Sequence, residues 1–88
     1  MPDAFIVESY APGGTEADFR RGTAELGRHR DRIELVHAAY VPADQAAYWV
    51  VRAASAGTVA EAWAAAGVSV DRVLAAVVVE PAHPAADG

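Results

Sequence analysis

Four segments of the chain either alternate between apolar and polar residues or form short apolar runs, as strands of a sheet do. The pattern predicts strands at residues 4–10, 33–41, 46–53 and 73–80. The last segment is a nearly continuous run of Val and Ala, which is typical of a strand covered on both faces. Pro42 opens the four residues between the second and third strands, and so short a connection favours an antiparallel hairpin.

Residues 15–26 have the spacing of an amphipathic helix that begins after Thr15. Thr15 and Asp18, three residues apart, predict a capping box at its N-terminus. The apolar positions expected to face the sheet are Phe19, Gly22 or Thr23, and Leu26. The helix is expected to end between residues 27 and 30.

Residues 55–66 predict a second helix. Ser55 and Thr58 both suit its N-cap, and Thr58 with Glu61 makes the better capping box. The stripe expected to face the sheet consists of Val59, Ala62, Trp63 and Ala66, with Trp63 deep in the core. Gly67 follows where a left-handed C-terminal residue is expected.

The predicted order is β-α-β-β-α-β, which is the ferredoxin-like pattern of the α+β class. It implies a four-stranded antiparallel sheet with both helices on one face. Residues 1–80 form one domain in this interpretation, and residues 81–88, with two prolines and no periodicity, form a flexible C-terminal tail.

Strand alternation divides the sheet into two faces. Phe5, Val7, Trp49 and Val51 are expected to face the helices. The opposite face is expected to carry Ile6, Glu8, Tyr10, Tyr48, Val50, Arg52, Ala76, Val78 and Glu80. This mixture is too apolar to leave in water and too polar for a dry core. We therefore predict a homodimer in which two sheets meet face to face as a dimeric α+β barrel with a lined interior.

Glu8 and Arg52 are expected on that face in neighbouring strands, where they could pair. One interpretation is a structural ion pair in a half-buried interface. The other is a polar anchor for a small molecule held between subunits, with Tyr10 and Tyr48 as hydrogen-bond donors.

His37 is harder to assign to a face. Strict alternation places it with Leu35 and Ala39, opposite Tyr40, whereas a bulge within residues 37–40 would bring His37 and Tyr40 to one side. One interpretation is a core residue whose hydrogen bonds are satisfied. The other is an acid/base or ligand-binding group, for which an imidazole is suited. His29, at the end of the first helix, is most simply a cation that favours the helix dipole.

The composition excludes several classes of site. The chain has no cysteine, which excludes disulfides, thiolate metal sites and a cysteine nucleophile. Its formal net charge of -5 argues against a nucleic-acid partner. No apolar run reaches the about 18 residues of a membrane span, so we predict a cytoplasmic protein without a membrane partner.

Several short segments resemble the DUF4242 family of small actinobacterial ferredoxin-like proteins, which are described in part as nickel-binding. The matching segments are Ile6-Val7-Glu8-Ser9, Val36-His37-Ala38-Ala39-Tyr40, Tyr48-Trp49-Val50-Val51-Arg52-Ala53-Ala54-Ser55, Ala66-Gly67 and Val70-Asp71-Arg72-Val73. The resemblance implies a dimer and a metal site of His and carboxylate groups. Trp49 and Arg52 stand where the family has Cys and Glu, and a guanidinium beside Glu8 would repel a divalent cation. We therefore expect any family metal site to be weakened here.

Three functions follow from these residues. The first is small-molecule binding in the dimer cavity without a cofactor, with acid/base chemistry of the cyclase or isomerase type in bacterial secondary metabolism, by analogy with other proteins of this fold. Its catalytic candidates are Glu8, His37, Tyr48 and Arg52, and its ligand-binding candidates are Tyr10, Tyr40 and Val50. His37 or Glu8 would act as base, while Tyr40, Tyr48 or Arg52 would hold an oxyanion.

The second function is binding of nickel or another divalent metal by His37, Glu8 and His29, since imidazole suits such ions. The third is a non-catalytic oligomerisation module. A filled interface without a pocket would favour the third over the first.

Overall fold

The computed structural model describes residues 3–10 and 14–79. Its elements are β1 (Asp3–Tyr10), α1 (Glu16–Leu26), a 3₁₀ turn (Gly27–His29), β2 (Ile33–Val41), a second 3₁₀ turn (Pro42–Asp44), β3 (Ala46–Ala53), α2 (Ala56–Ala66) and β4 (Arg72–Ala76). The strand order is β2-β3-β1-β4, and each neighbouring pair is antiparallel. This confirms the α+β, ferredoxin-like arrangement. The predicted tail at 81–88 lies outside the described residues, and in the part that is described no helix is long and apolar enough to cross a membrane.

Helix α1 begins as its sequence predicts. The Thr15 hydroxyl accepts a hydrogen bond from the Asp18 backbone N–H at 3.2 Å, and the Asp18 carboxylate accepts from the Thr15 backbone N–H at 3.2 Å. The Thr15 hydroxyl also donates to Asp18 Oδ2 at 3.0 Å. These bonds favour the ionised carboxylate, and they lower the pKa of Asp18.

Helix α2 confirms one of its two predicted caps. Ser55 is the N-cap, and its hydroxyl accepts from the Thr58 backbone N–H at 3.1 Å. The capping box of Thr58 and Glu61 is wrong, because the helix begins three residues earlier and Thr58 already lies within its first turn. At the other end Gly67 has φ 75°, the left-handed conformation that glycine adopts without a Cβ clash.

The core lies between the helices and one sheet face. Trp63 of α2 is fully buried and meets Trp49 of β3 edge to face, with ring centroids 5.7 Å apart. On its other side Trp49 stacks on Phe19 of α1 at 5.6 Å. The Trp49 indole N–H donates to the Thr23 hydroxyl at 3.0 Å. Both predicted helix stripes are therefore confirmed as the faces that seat α1 and α2 on the sheet.

Strand β4 differs from its prediction in length and in environment. It ends at Ala76, it pairs with β1 alone, and it lies at an edge of the sheet. Val77 and Val79 follow it and are 88% and 79% exposed. In the single chain this strand is not covered on both faces, because Leu74 and Ala76, on the side away from the helices, are only half-buried.

Candidate functional site on the open sheet face

The sheet face that does not pack on the helices is called the open face here. Cross-strand partners project to the same side of an antiparallel sheet, so the registers order this face into rows across β2, β3, β1 and β4. The first row is Glu34, Arg52, Ala4 and Ala76; the second is His37, Val50, Ile6 and Leu74; the third is Ala39, Tyr48, Glu8 and Arg72. Tyr10 extends β1 beyond the third row and is 42% exposed. The alternation predicted for β1 and β3 is thus confirmed, whereas Val78 lies outside β4 and Glu80 outside the described residues.

A polar cluster of Glu8, Tyr10, Tyr48 and Arg72 lies at the third row. The Glu8 side chain is only 13% exposed, and its Oε1 accepts a hydrogen bond from the Tyr10 hydroxyl at 2.9 Å. Arg72 Nη1 lies 3.8 Å from the same oxygen. Tyr48 is the cross-strand partner of Glu8, and its ring meets that of Tyr10 edge to face at 6.4 Å.

Tyr10 is the hydrogen-bond donor of this cluster. Hydrogen bonding with the Tyr48 hydroxyl, and then with the Glu8 carboxylate, stabilises the protonated phenol of Tyr10 and raises its pKa above the ordinary value; the negative charge of Glu8 adds to this effect. Tyr10 therefore remains protonated at neutral pH. Both contacts of Glu8 described above use Oε1, which leaves Oε2 for another donor.

Two hydrogen bonds of Asp71, one from its backbone and one to its side chain, join the start of β4 to β1, which carries Glu8 and Tyr10. The Asp71 N–H donates to the Glu8 carbonyl at 2.8 Å, and the Tyr10 N–H donates to Asp71 Oδ2 at 2.6 Å. Arg72 follows Asp71 directly and is thereby held beside Glu8. Sequence reasoning missed Arg72 because it began the fourth strand one residue later; a strand starting at Arg72 would have placed its side chain on the open face.

The predicted pair of Glu8 and Arg52 does not form. The two residues share the open face but lie two rows apart, since Arg52 is opposite Ala4 and Glu8 is opposite Tyr48. Arg52 instead has its Nη1 3.9 Å from Glu34 Oε2, its partner in the first row. The face therefore carries two separate acid–base pairs.

A bulge in β2 decides the positions of His37 and Tyr40. Leu35 is opposite Val51 and His37 is opposite Val50, so Val36 is the extra residue. The bulge lies before residues 37–40, and it leaves His37 on the open face, exposed rather than in the core.

Tyr40 faces the helices, contrary to its predicted role in the ligand site. Its ring stacks on Phe19 at 5.5 Å, and its hydroxyl donates to the Gly14 carbonyl at 3.1 Å. Tyr40 therefore belongs to the packing of α1 on the sheet and not to the open face.

The three predicted metal ligands do not converge. His29 lies in the 3₁₀ turn after α1, whereas Glu8 and His37 lie on the open face with β3 between their strands. Within residues 3–10 and 14–79, no group of three His, Cys, Asp or Glu side chains is arranged to hold a metal ion. These residues do not fit the nickel site that the family resemblance implies.

Two concavities among the described residues lie away from Glu8. A concavity of about 280 Å³ lies on the helix side, where Ser9, Gly22, Trp49 and Val68 contribute to its wall. Another, of about 470 Å³, lies at one end of the sheet beside Arg52. Neither concavity is lined by Glu8, and a second surface placed over the open face would enclose this carboxylate.

No family model, curated protein or solved structure matches this chain. The resemblance to the DUF4242 family therefore stays a prediction based on short motifs. The case for a function depends on the geometry of the open face.

Proposed function

We propose that two copies of this protein pair through their open faces and bind a small organic molecule between them at Glu8. The observation that carries the proposal is the Glu8 carboxylate itself. It is 13% exposed on the sheet face without helices, with one oxygen engaged by Tyr10 and near Arg72. Carboxylates on open sheet faces are ordinarily solvated, so a carboxylate already largely removed from water suits a binding site.

The apolar content of the open face supports its burial by a second copy. Ile6, Val50 and Leu74 are three of the four residues of the second row, and all three are half-buried in the single chain. Four strands about 4.8 Å apart and three to four rows of about 6.6 Å give a face of roughly 19 by 25 Å. Pairing two such faces buries about 1,000 Å² in total, which is the lower limit of specific interfaces. We therefore expect a dimer that dissociates at micromolar concentrations.

The cluster at the third row defines the chemistry of the ligand. Glu8 Oε2 can accept a hydrogen bond from a hydroxyl, while Arg72 supplies a cationic donor near the same place. The Tyr10 hydroxyl hydrogen is already donated to Glu8 Oε1 and holds that carboxylate in position. A molecule with a hydroxyl and a carbonyl oxygen complements these groups. With such a ligand, Glu8 is placed to take a proton, and Arg72 to stabilise the resulting oxyanion, without a cofactor.

Sedimentation velocity of the tag-free protein from 1 μM to 1 mM tests the pairing. We expect a monomer–dimer equilibrium, and a monomer at every concentration would overturn the proposal. The substitution Val50→Asp places a charge at the centre of the second row and should abolish the dimer. The matched substitution Ala60→Asp, on the exposed side of α2, should leave it intact.

Ligand binding is tested with 4-hydroxyacetophenone, which carries the required donor and carbonyl, and with 4-methoxyacetophenone, which lacks the donor. We expect amide chemical-shift changes around Glu8 in β1 with the first probe and at least tenfold weaker binding of the second. Glu8→Gln should weaken the first probe about tenfold, because a hydrogen bond to a charged acceptor contributes about 1.5–3 kcal/mol. The control Glu25→Gln, on α1, should bind as the wild type does.

A dimer that binds neither probe would overturn the ligand part of the proposal and leave an oligomerisation surface. Binding that is unchanged in Glu8→Gln would show that the probe does not use the carboxylate. Either result would leave the oligomeric state as the remaining property of the open face.

A further inference from the structure

Given the pairing of open faces proposed above, we infer that the twofold axis of the dimer runs parallel to the strands. Each site then combines Glu8 and Tyr10 of one copy with Tyr48 of the partner. An axis along the strands keeps every residue at its own row and reverses the strand order. β1 thus lies over the partner's β3, and β4 lies over the partner's β2.

The third row is complementary to itself under this operation. Glu8 faces the partner's Tyr48, because the two residues are neighbours at the centre of the same row. Arg72, at one edge of the row, faces the partner's Ala39 at the opposite edge. A carboxylate thus meets a phenol, and a long cation meets the smallest side chain on that edge.

The other rows follow the same rule. In the second row Ile6 lies over the partner's Val50, which joins apolar residues at the centre of the interface. In the first row Arg52 lies over the partner's Ala4 and Glu34 over the partner's Ala76. At the edges of the second row, Leu74 lies over the partner's His37. No pair in these two rows places like charges together, and Arg52 and Glu34 each face an alanine.

An axis perpendicular to the strands gives Glu8 no suitable partner residue. It places every strand over its own copy and reverses the rows, so Glu8 faces the partner's Ala4, Ile6, Glu8 or Tyr10, depending on where the axis crosses β1. Facing Tyr10 would leave the first and second rows without a counterpart and so lose the apolar contact at the centre of the interface. Neither alanine nor isoleucine donates a side-chain hydrogen bond, and two facing carboxylates repel. A carboxylate that is already only 13% exposed would lose its remaining water without a new donor.

The axis along the strands supplies that donor. Oε1 of Glu8 already accepts from Tyr10, and the partner's Tyr48 hydroxyl lies across from Oε2, joined to it directly or through the bound molecule. Two equivalent sites result, one on each side of the axis. Each site also contains the Tyr48 of its own copy, and it is incomplete in a single chain because the second Tyr48, opposite Glu8, comes from the partner.

Ala39 and Arg72 provide the test. They occupy opposite edges of the sheet, with two strands between them, so they are about 14 Å apart within one chain. Any strong coupling between them must therefore act between copies. Ala39 is exposed in the single chain, so its substitution does not disturb the core.

The test is the dimer dissociation constant from sedimentation equilibrium. It is to be determined for the wild type, Ala39→Arg, Arg72→Glu and the double variant. Ala39→Arg places a cation opposite the partner's Arg72 and should raise the dissociation constant at least tenfold. The double variant Ala39→Arg/Arg72→Glu should restore it to within about threefold of wild type. Ala39→Glu should tighten the dimer, which gives a second variant of opposite sign. Ala60→Arg, with the same substitution on α2, should have no effect.

The outcomes separate this inference from the proposed function. A dimer that is weakened by Ala39→Arg but not restored by Arg72→Glu overturns the axis and leaves the pairing of open faces standing. Additive effects of the two substitutions in a stable dimer have the same meaning. A monomer at every concentration overturns both, whereas restoration in the double variant supports the axis.

Discussion

The hydrogen bond between Trp49 and Thr23 joins α1 to the sheet that presents the candidate site, and its removal gives a quantitative test of the fold. The substitution Thr23→Val keeps the shape and β-branching of the side chain and removes only its acceptor. Trp49 is 2% exposed, and its indole N–H donates to Thr23 Oγ1 at 3.0 Å. After the substitution this N–H stays buried without that acceptor.

The expected cost follows from the desolvation of that donor. Leaving a buried N–H unpaired costs about 1–3 kcal/mol, and the partial exposure of Thr23 places the estimate near the lower end, about 1–2 kcal/mol. The whole domain has a free energy of unfolding of about 5–10 kcal/mol at this size. With a urea m-value of about 1 kcal/mol/M, the unfolding midpoint should fall by about 1–2 M.

Urea unfolding followed by tryptophan fluorescence measures the effect, and a double-mutant cycle isolates the hydrogen bond. Thr23→Ser keeps the hydroxyl and should cost less than Thr23→Val. In a Trp49→Phe background there is no indole N–H to leave unpaired, so Thr23→Val should be nearly neutral there, and Trp63 remains as the fluorescent reporter. Equal costs of Thr23→Val in the two backgrounds would refute the reasoning.

Two further predictions concern the second helix and the phenol of the site. Ser55→Ala removes the N-cap acceptor of α2 and should lower the free energy of unfolding by about 1 kcal/mol in urea titrations, more than Thr58→Ala does; the reverse order would contradict the observed cap. In ultraviolet titrations of the wild type, the Tyr10 phenol should ionise above the ordinary value of about 10, and Tyr10→Phe should lose this high-pH step. Because the folded-state pKa is the higher one, the stability that Tyr10 adds relative to Tyr10→Phe is present below pH about 10 and is lost as the pH rises further. A stability difference that grows above pH 10 would contradict this sign.

Predictions that depend on neighbours within a few residues were confirmed in most cases. The capping box of Thr15 and Asp18, the stripe containing Trp63 and the left-handed Gly67 are all set by local hydrogen bonds and helical spacing. The alternation in β1 and β3 likewise placed Glu8 and Tyr48 on the open face. One local choice failed, since Ser55 and Thr58 are both good N-caps and their side chains alone do not decide between them.

The composition of the site itself was decided by pairing between distant strands. A one-residue bulge at Val36 sends His37 to the open face and Tyr40 to the helices, and a one-residue change in register reverses every side chain beyond it. The partner of Glu8 is Arg72 rather than Arg52, because the registers of β1 with β3 and β4 set which residues share a row.

The sequence by itself thus determined the order of the elements, the ends of α1 and the two faces of the central strands, because each depends on residues that are close along the chain. Only the tertiary structure decided which charged side chains meet, since strand register arises from packing over the whole sheet. The open face shows both contributions. The alternation of the sequence predicts most of its residues. Their arrangement into rows, which brings Glu8, Tyr10, Tyr48 and Arg72 together, is set by the fold.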